Sequence, residues 1–372
     1  MEPLEGWIRG QIGAGGPVIF EQFMDWALYH PEHGYYASGR AALGRDEGDF
    51  TTAPQISELF GTCLARLISA ADRALGSPAR FSLVEGGAGE GRLGRQILDA
   101  LQLRDPNLYG RLTYSPEESG EAWRARQEEL LAPHRARVAN AQARDFVGLY
   151  LSNELVDAFP VHRLVRRNDT LWEVYVGLEA DNLTELLLPP SRPELAQLLE
   201  EEGVHVEEGC EVEVNLRALE WLRSVAGRLR RGYVVTVDYG DEAESLYGRR
   251  RAGGTCLAYE RHRTSEELLA RPGLRDLTAH VDFTALRRAG LSAGLEAAPL
   301  RTQRDFLFGL GFLREVEELE HRGLSEAELL AARRALAPLL FPGMGEAFHV
   351  LVQAKDAPLS ALPLDSKRAV KG

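Results

Sequence analysis

The sequence predicts an α/β fold, with a mostly parallel sheet covered by helices on both faces. Two observations carry this. Short apolar runs at Phe81–Val84, Val147–Ser152, Tyr233–Val237 and Phe348–Val352 are separated by stretches of helical periodicity. The first of these runs ends in a glycine-rich turn that opens a helix, which is how nucleotide-binding α/β units begin.

Each element follows in order. Residues 1–75 read as an N-terminal helical or lid region with unusual polar punctuation, as at Tyr29-His30-Pro31-Glu32-His33-Gly34-Tyr35-Tyr36. Residues 76–159 hold the first part of the core. A helix is expected over Leu93–Leu101, and a second strand near Leu112–Tyr114, made ragged by Pro116. Residues 160–231 are surplus to the core and read as an inserted α+β substrate region. Val161–Val176 suggests a hairpin around Asn168-Asp169, and Pro193–Glu202 and Leu216–Leu229 look helical. The core resumes over 232–355, with a second excursion at about 241–302. Capping boxes at Thr264 with Glu267 and at Ser325 with Glu328 mark two helix starts. The polar tail, 356–372, is expected to be flexible.

The chain has 372 residues, 44% hydrophobic, and 43 Lys plus Arg against 56 Asp plus Glu, for a net charge of -13. This balance argues against a general nucleic-acid binder, which needs clustered cations. Cys63, Cys210 and Cys256 are far apart, so no zinc or other metal site and no disulfide framework is suggested. A reducing compartment follows as the default. No signal peptide or run of ~20 apolar residues is visible, so a cytoplasmic protein without a membrane span is expected. A homodimer is left open.

The turn Glu85-Gly86-Gly87-Ala88-Gly89-Glu90-Gly91 follows the first strand. As an acidic residue followed by alternating glycines, it fits the S-adenosylmethionine (SAM) turn of a Rossmann-like class I methyltransferase. Glu85, Gly87, Gly89 and Gly91 are then cofactor residues, the glycines letting the backbone approach the ligand without a Cβ in the way. Gly89-Glu90-Gly91-Arg92-Leu93-Gly94 also fits the dinucleotide fingerprint, with Asp105 near the spacing of its ribose acid. An NAD(P)-linked oxidoreductase therefore stays open. After the second strand come Glu117 and Glu118; Glu118 is preferred as the carboxylate for two ribose hydroxyls, against the plain reading of a solvated acidic turn.

Longer strings carry a resemblance. Gly16-Pro17, Tyr29-His30-Pro31, Gly34-Tyr35-Tyr36 and Gly48-Asp49-Phe50-Thr51-Thr52-Ala53-Pro54 stand at the N-terminus. Ser152-Asn153-Glu154, Asp157-Ala158-Phe159-Pro160, Asp238-Tyr239-Gly240 and Asp276-Leu277-Thr278-Ala279-His280-Val281-Asp282-Phe283 follow. In these the chain resembles the mitochondrial complex I assembly-factor methyltransferases and their bacterial relatives, the MidA family. The resemblance implies SAM-dependent methylation of an arginine on a protein substrate. It also shows departures: Gly86, Ala88 and Glu90 stand where the family commonly has Leu, Pro and Arg, so a charge is reversed beside the cofactor.

Asn153 and Glu154 lie just past a core strand, at the carboxyl edge where α/β ligands bind. Asn153 is assigned to the cofactor. Glu154 and Asp157, on one face if a helical turn starts there, are assigned to the acceptor, because a permanently cationic guanidinium needs carboxylates to orient it. The bland alternative is an acidic first turn that complements a helix dipole. His162 is the candidate base for late proton removal, or a hairpin-edge histidine. His262 and His280 could line the crevice but say nothing alone. A non-catalytic chaperone that kept the fold remains the third reading.

Overall fold

The structure, a computed structural model, describes residues 2–39, 52–139, 142–248, 251–320, 326–341 and 344–364. In chain order its strands are β1 (Val18–Ile19), β2 (Phe81–Gly86), β3 (Leu112–Glu117), β4 (Phe146–Asn153), β5 (His162–Arg167), β6 (Thr170–Glu179), β7 (Asn182–Leu188) and β8 (Glu211–Val214). Then come β9 (Leu229–Asp241), β10 (Leu257–Glu260), β11 (Arg263–Ser265), β12 (Asp276–Thr278), β13 (Val281–Asp282), β14 (Glu296–Ala297), β15 (Arg301–Thr302) and β16 (Phe348–Lys355).

The main sheet runs β14-β16-β9-β4-β2-β3, with β13 on β9 and β15 on β16. Strands β3, β2, β4 and β9 are mutually parallel, and β16 is antiparallel to β9. The parallel strands are buried on both faces, which is why they read as continuous apolar runs rather than alternating ones. Successive residues still divide between the faces. Leu83, Leu149, Leu151 and Val235 pack with helices Glu58–Ala74 and Arg92–Arg104, whereas Val84, Tyr150 and Val234 pack with helices Leu216–Arg228 and Phe283–Ser292. Pro116 is tolerated because β3 is the last named strand on its side, with only an isolated bridge from Tyr114 to Val138 beyond it.

The insertion after β4 forms an antiparallel sheet, β1-β6-β5-β8 with β7 on β6. The expected hairpin is β5–β6, turning at Asn168 and Asp169, both with positive φ. Helices Glu194–Glu201 and Leu216–Arg228 form where expected, but the second packs on the main sheet, so the insertion ends before it.

Four further expectations are corrected. The 1–75 region is two pieces. Its first part packs on the insertions, with Leu4, Ile8, Phe20 and Phe23 against Val176, Ala258 and Leu277, and β1 extends their sheet; helix Glu58–Ala74 belongs to the main core. The second excursion ends near Thr278, because β13, helix Phe283–Ser292, β14 and β15 all build the main sheet and its cover. Thr264 lies in β11, not at a helix start, while Ser325 lies outside the described residues. The tail is packed through residue 364: Leu362 and Leu364 are buried in the main core, and Tyr233 Oη donates to Pro358 O at 3.0 Å. Residues 365–372 lie outside the described residues.

Candidate active site

A cavity of about 700 Å³ opens at the carboxyl edge of β2, β3, β4 and β9. One end is built by the glycine turn. Gly87, Gly89 and Gly91 all have positive φ, so the chain reverses within the turn before helix Arg92–Arg104 begins. A Cβ on Gly86 would lie 2.2 Å from Tyr150 Oη, which is why no side chain is accepted there. Gly91 does not line the cavity; it caps the helix and packs against Leu131 and Gln127. Gly87 and Gly89 do line it.

Glu85 is buried at the end of β2 and accepts a hydrogen bond from Tyr114 Oη at 2.7 Å. Burial raises its pKa to about 7, with the Tyr114 bond opposing and Glu118 adding to the rise. The Tyr114 hydroxyl reaches Glu85 by passing beneath Gly94, where a Cβ would lie 2.1 Å from it. Gly94, the last glycine of the dinucleotide fingerprint, is thus explained by helix–strand packing. Asp105, the ribose acid of that reading, instead caps helix Pro106–Arg111 through Leu108 N at 3.1 Å.

Glu117 and Glu118 diverge. Both oxygens of Glu117 bind Arg228, at 2.5 and 3.0 Å. Glu118 lines the cavity with Oε2 3.0 Å from Gly89 N and Oε1 3.1 Å from Gly120 N, so it ties the second strand to the glycine turn. Beside it, Glu90 Oε1 accepts from Arg92 Nε at 2.7 Å, which neutralises locally the charge reversal noted in the sequence.

The other end of the cavity is acidic and aromatic. Asn153 Nδ2 donates to Glu154 Oε1 at 3.0 Å, and Ala53 N donates to the same oxygen at 3.3 Å. The segment after β4 is a turn, not a helix: Glu154 has φ 53°, a left-handed conformation that a non-glycine residue adopts only under constraint. The i,i+3 helical-face argument therefore fails, although Glu154 and Asp157 still line one cavity. The constraint is Asp238, fully buried at the end of β9. Its Oδ2 accepts from the backbone N–H groups of Leu155, Val156 and Asp157 at 3.2, 2.9 and 3.4 Å.

Burial, reinforced by Asp157, raises the Glu154 pKa to about 8. Burial raises that of Asp157 to about 6, with a hydrogen bond from Tyr239 opposing. Asp276 of β12 joins them, bound by Tyr36 Oη at 2.8 Å. Tyr29 Oη donates to Ala158 O at 2.9 Å, and the Tyr29 and Tyr36 rings stack 5.7 Å apart. Two side-chain oxygens on this wall, Asn153 Oδ1 and Asp157 Oδ1, are buried without a hydrogen-bond partner among the described residues.

His162 is elsewhere. It begins β5, is buried, and binds Glu173 Oε1 through Nδ1 at 2.7 Å inside the insertion. It does not line the cavity, so it is withdrawn as the base. His262 sits in the β10–β11 turn, whereas His280 lines the cavity, held neutral by burial that lowers its pKa to about 4. The sequence reading missed Asp238, Tyr239 and Asp276 as site residues. Asp238-Tyr239 had a usable signal, since it ends an apolar strand run at the ligand-binding edge.

These residues fit a SAM-shaped ligand: a glycine cradle, a carboxylate at Glu118 beside it for the ribose hydroxyls and an acidic wall for a sulfonium. Replacing Glu118 with Ala is expected to weaken S-adenosylhomocysteine about tenfold or more in calorimetry, given ~1.5–3 kcal/mol for a charge-assisted hydrogen bond. Greater sensitivity at Glu117 would relocate the ribose.

Comparison with known proteins agrees. A family of S-adenosyl-L-methionine-dependent methyltransferases has a model that matches residues 63–300. A protein from Burkholderia thailandensis described as a likely methyl transferase, solved bound to S-adenosyl-homocysteine, superposes with a TM-score of 0.86 at 33% identity, covering 97% of this chain and 94% of that one. The protein arginine methyltransferase NDUFAF7 of Bos taurus mitochondria is 29% identical over 81% of this chain and 71% of its own length. Its Homo sapiens counterpart is 28% identical over 83% and 73%. The NAD reading falls with this, and the chain belongs to this family of SAM-dependent methyltransferases.

Proposed function

We propose that the chain methylates an arginine side chain of a protein substrate, with Glu154 and Asp157 holding the guanidinium. One observation carries this: the carboxylates of Glu154, Asp157 and Asp276 converge on one wall of the cavity. A planar, always-charged fork is the group that such a wall accepts. The Bos taurus and Homo sapiens relatives are named protein arginine methyltransferases, which supports the same reading.

When bound, SAM supplies an electrophilic methyl on a sulfonium. The carboxylates orient one guanidinium nitrogen toward it, and most of the rate gain comes from that orientation. They also localise the positive charge away from the attacking nitrogen. Asp157 or Glu154 can take the proton lost after transfer, since burial has raised both above the ordinary carboxylate range. The test is incubation with methyl-labelled SAM and cell extract, followed by mass spectrometry. Label on methylarginine is expected; label confined to lysine, carboxylates or small molecules would overturn the proposal.

The pH dependence follows. Arginine stays cationic throughout, so only the enzyme titrates. With Asp157 near 6 and Glu154 near 8, kcat/KM is expected to climb from pH 6 and level off above about 8. Glu154→Gln should abolish the upper part of that climb. A flat profile from pH 6 to 9 would mean that these carboxylates do not meet the acceptor.

A further inference from the structure

We infer that Arg92 is the cation that binds the carboxylate of the cofactor's amino-acid tail, held in place by Glu90 two positions earlier in the turn. Among the described residues that line the cavity, Arg92 is the one lysine or arginine. The single histidine there, His280, is held neutral by burial. The rest of the wall carries carboxylates, Glu85, Glu90 and Glu118 at this end. An α-carboxylate entering such a cavity meets repulsion unless a cation receives it, and Arg92 is placed to do so.

Its geometry suits the task. Arg92 is the first residue of helix Arg92–Arg104, directly after the glycine turn. Only its Nε is engaged, by Glu90 Oε1 at 2.7 Å, and the terminal nitrogens bond no other described residue. Guanidinium carries five N–H donors, so the two Nη groups remain as a fork for a carboxylate. Glu90 therefore fixes the side chain by its inner nitrogen and turns its outer edge to the ligand. With the half-exposed Arg92 set over the turn, the Glu90–Arg92 pair presents both charges to a zwitterionic tail, carboxylate to Arg92 and ammonium to Glu90.

The test compares SAM with decarboxylated SAM, which differs only in lacking that carboxylate. Calorimetry on the full chain is expected to show wild type favouring SAM by about tenfold or more, the scale of one charge-assisted bond. Arg92→Ala should weaken SAM by about that factor, leave decarboxylated SAM nearly unchanged and erase the preference. Arg92→Lys should restore part of it as a point charge. Equal weakening of both ligands would mean that Arg92 only shapes the turn, and unchanged binding of both would mean that the tail lies elsewhere; either result overturns the assignment. If wild type binds neither ligand, the cofactor site itself is wrong.

Discussion

Asp157→Asn is expected to lower methyl transfer by about 100-fold or more while SAM binding stays within about twofold of wild type, a split of the size that lost alignment alone produces. Asparagine keeps the shape and the hydrogen bond with Tyr239 but cannot carry the charge that orients a guanidinium. The loss should appear in kcat with the natural protein substrate, because the acceptor still binds through Glu154 and Asp276 but is misaligned. Stability separates this from damage to the fold. The folded pKa of Asp157 is raised to about 6, above the ~3.9 of an unfolded chain. Between those values the native state holds more protons than the unfolded one, so this group's contribution to stability falls as pH rises through the window and stays low above it. Asparagine never ionises. The variant's Tm at pH 8 should therefore equal or exceed that of wild type, while its activity collapses. Full turnover in both Asp157→Asn and Glu154→Gln would make the carboxylate clamp untenable and favour a different acceptor.

The parallel core was legible because strands buried on both faces leave continuous apolar runs, as at Leu149–Leu151 and Tyr233–Val237. The glycine turn was legible for a local reason: Gly86 to Gly91 reverse the chain within a few residues, and the strand before and helix after them can be read directly. What failed was non-local. Strands β13, β14 and β15 are two residues each and gave no periodic signal, so the second excursion was drawn too long. The division of residues 1–75 between two cores cannot be seen from periodicity, since Phe23 and Phe60 both read as apolar helix faces. His162 misled because a histidine just past a turn gives no clue to its partner; Glu173, on the next strand, decides that it faces the insertion's interior. Tyr36 and Asp276 meet across 240 positions of sequence, a pairing that only the fold brings about.

Asp238→Ala should be the most damaging single change outside the carboxylate clamp. Its Oδ2 is the shared acceptor for three consecutive N–H groups, Leu155, Val156 and Asp157, and Oδ1 accepts from Tyr239 N at 2.9 Å. Removing the carboxyl leaves buried donors unpaired at ~1–3 kcal/mol each, offset in part by relaxation, so a loss of ~2–5 kcal/mol is expected. The same bonds hold Glu154 at its positive φ and set where Asp157 points into the cavity. Transfer should therefore fall about 100-fold even at temperatures where the variant is fully folded, because a displacement of ~1 Å suffices for that. Asp238→Asn keeps an acceptor oxygen for the three N–H groups but sets its amide nitrogen against Tyr239 N–H, so it should recover part of the stability and of the rate. Melting curves and initial rates on the two variants separate the possibilities. Equal loss in both would mean that Asp238 needs both carboxylate oxygens, and no loss in Asp238→Ala would mean that the loop after β4 is held by the rest of its packing.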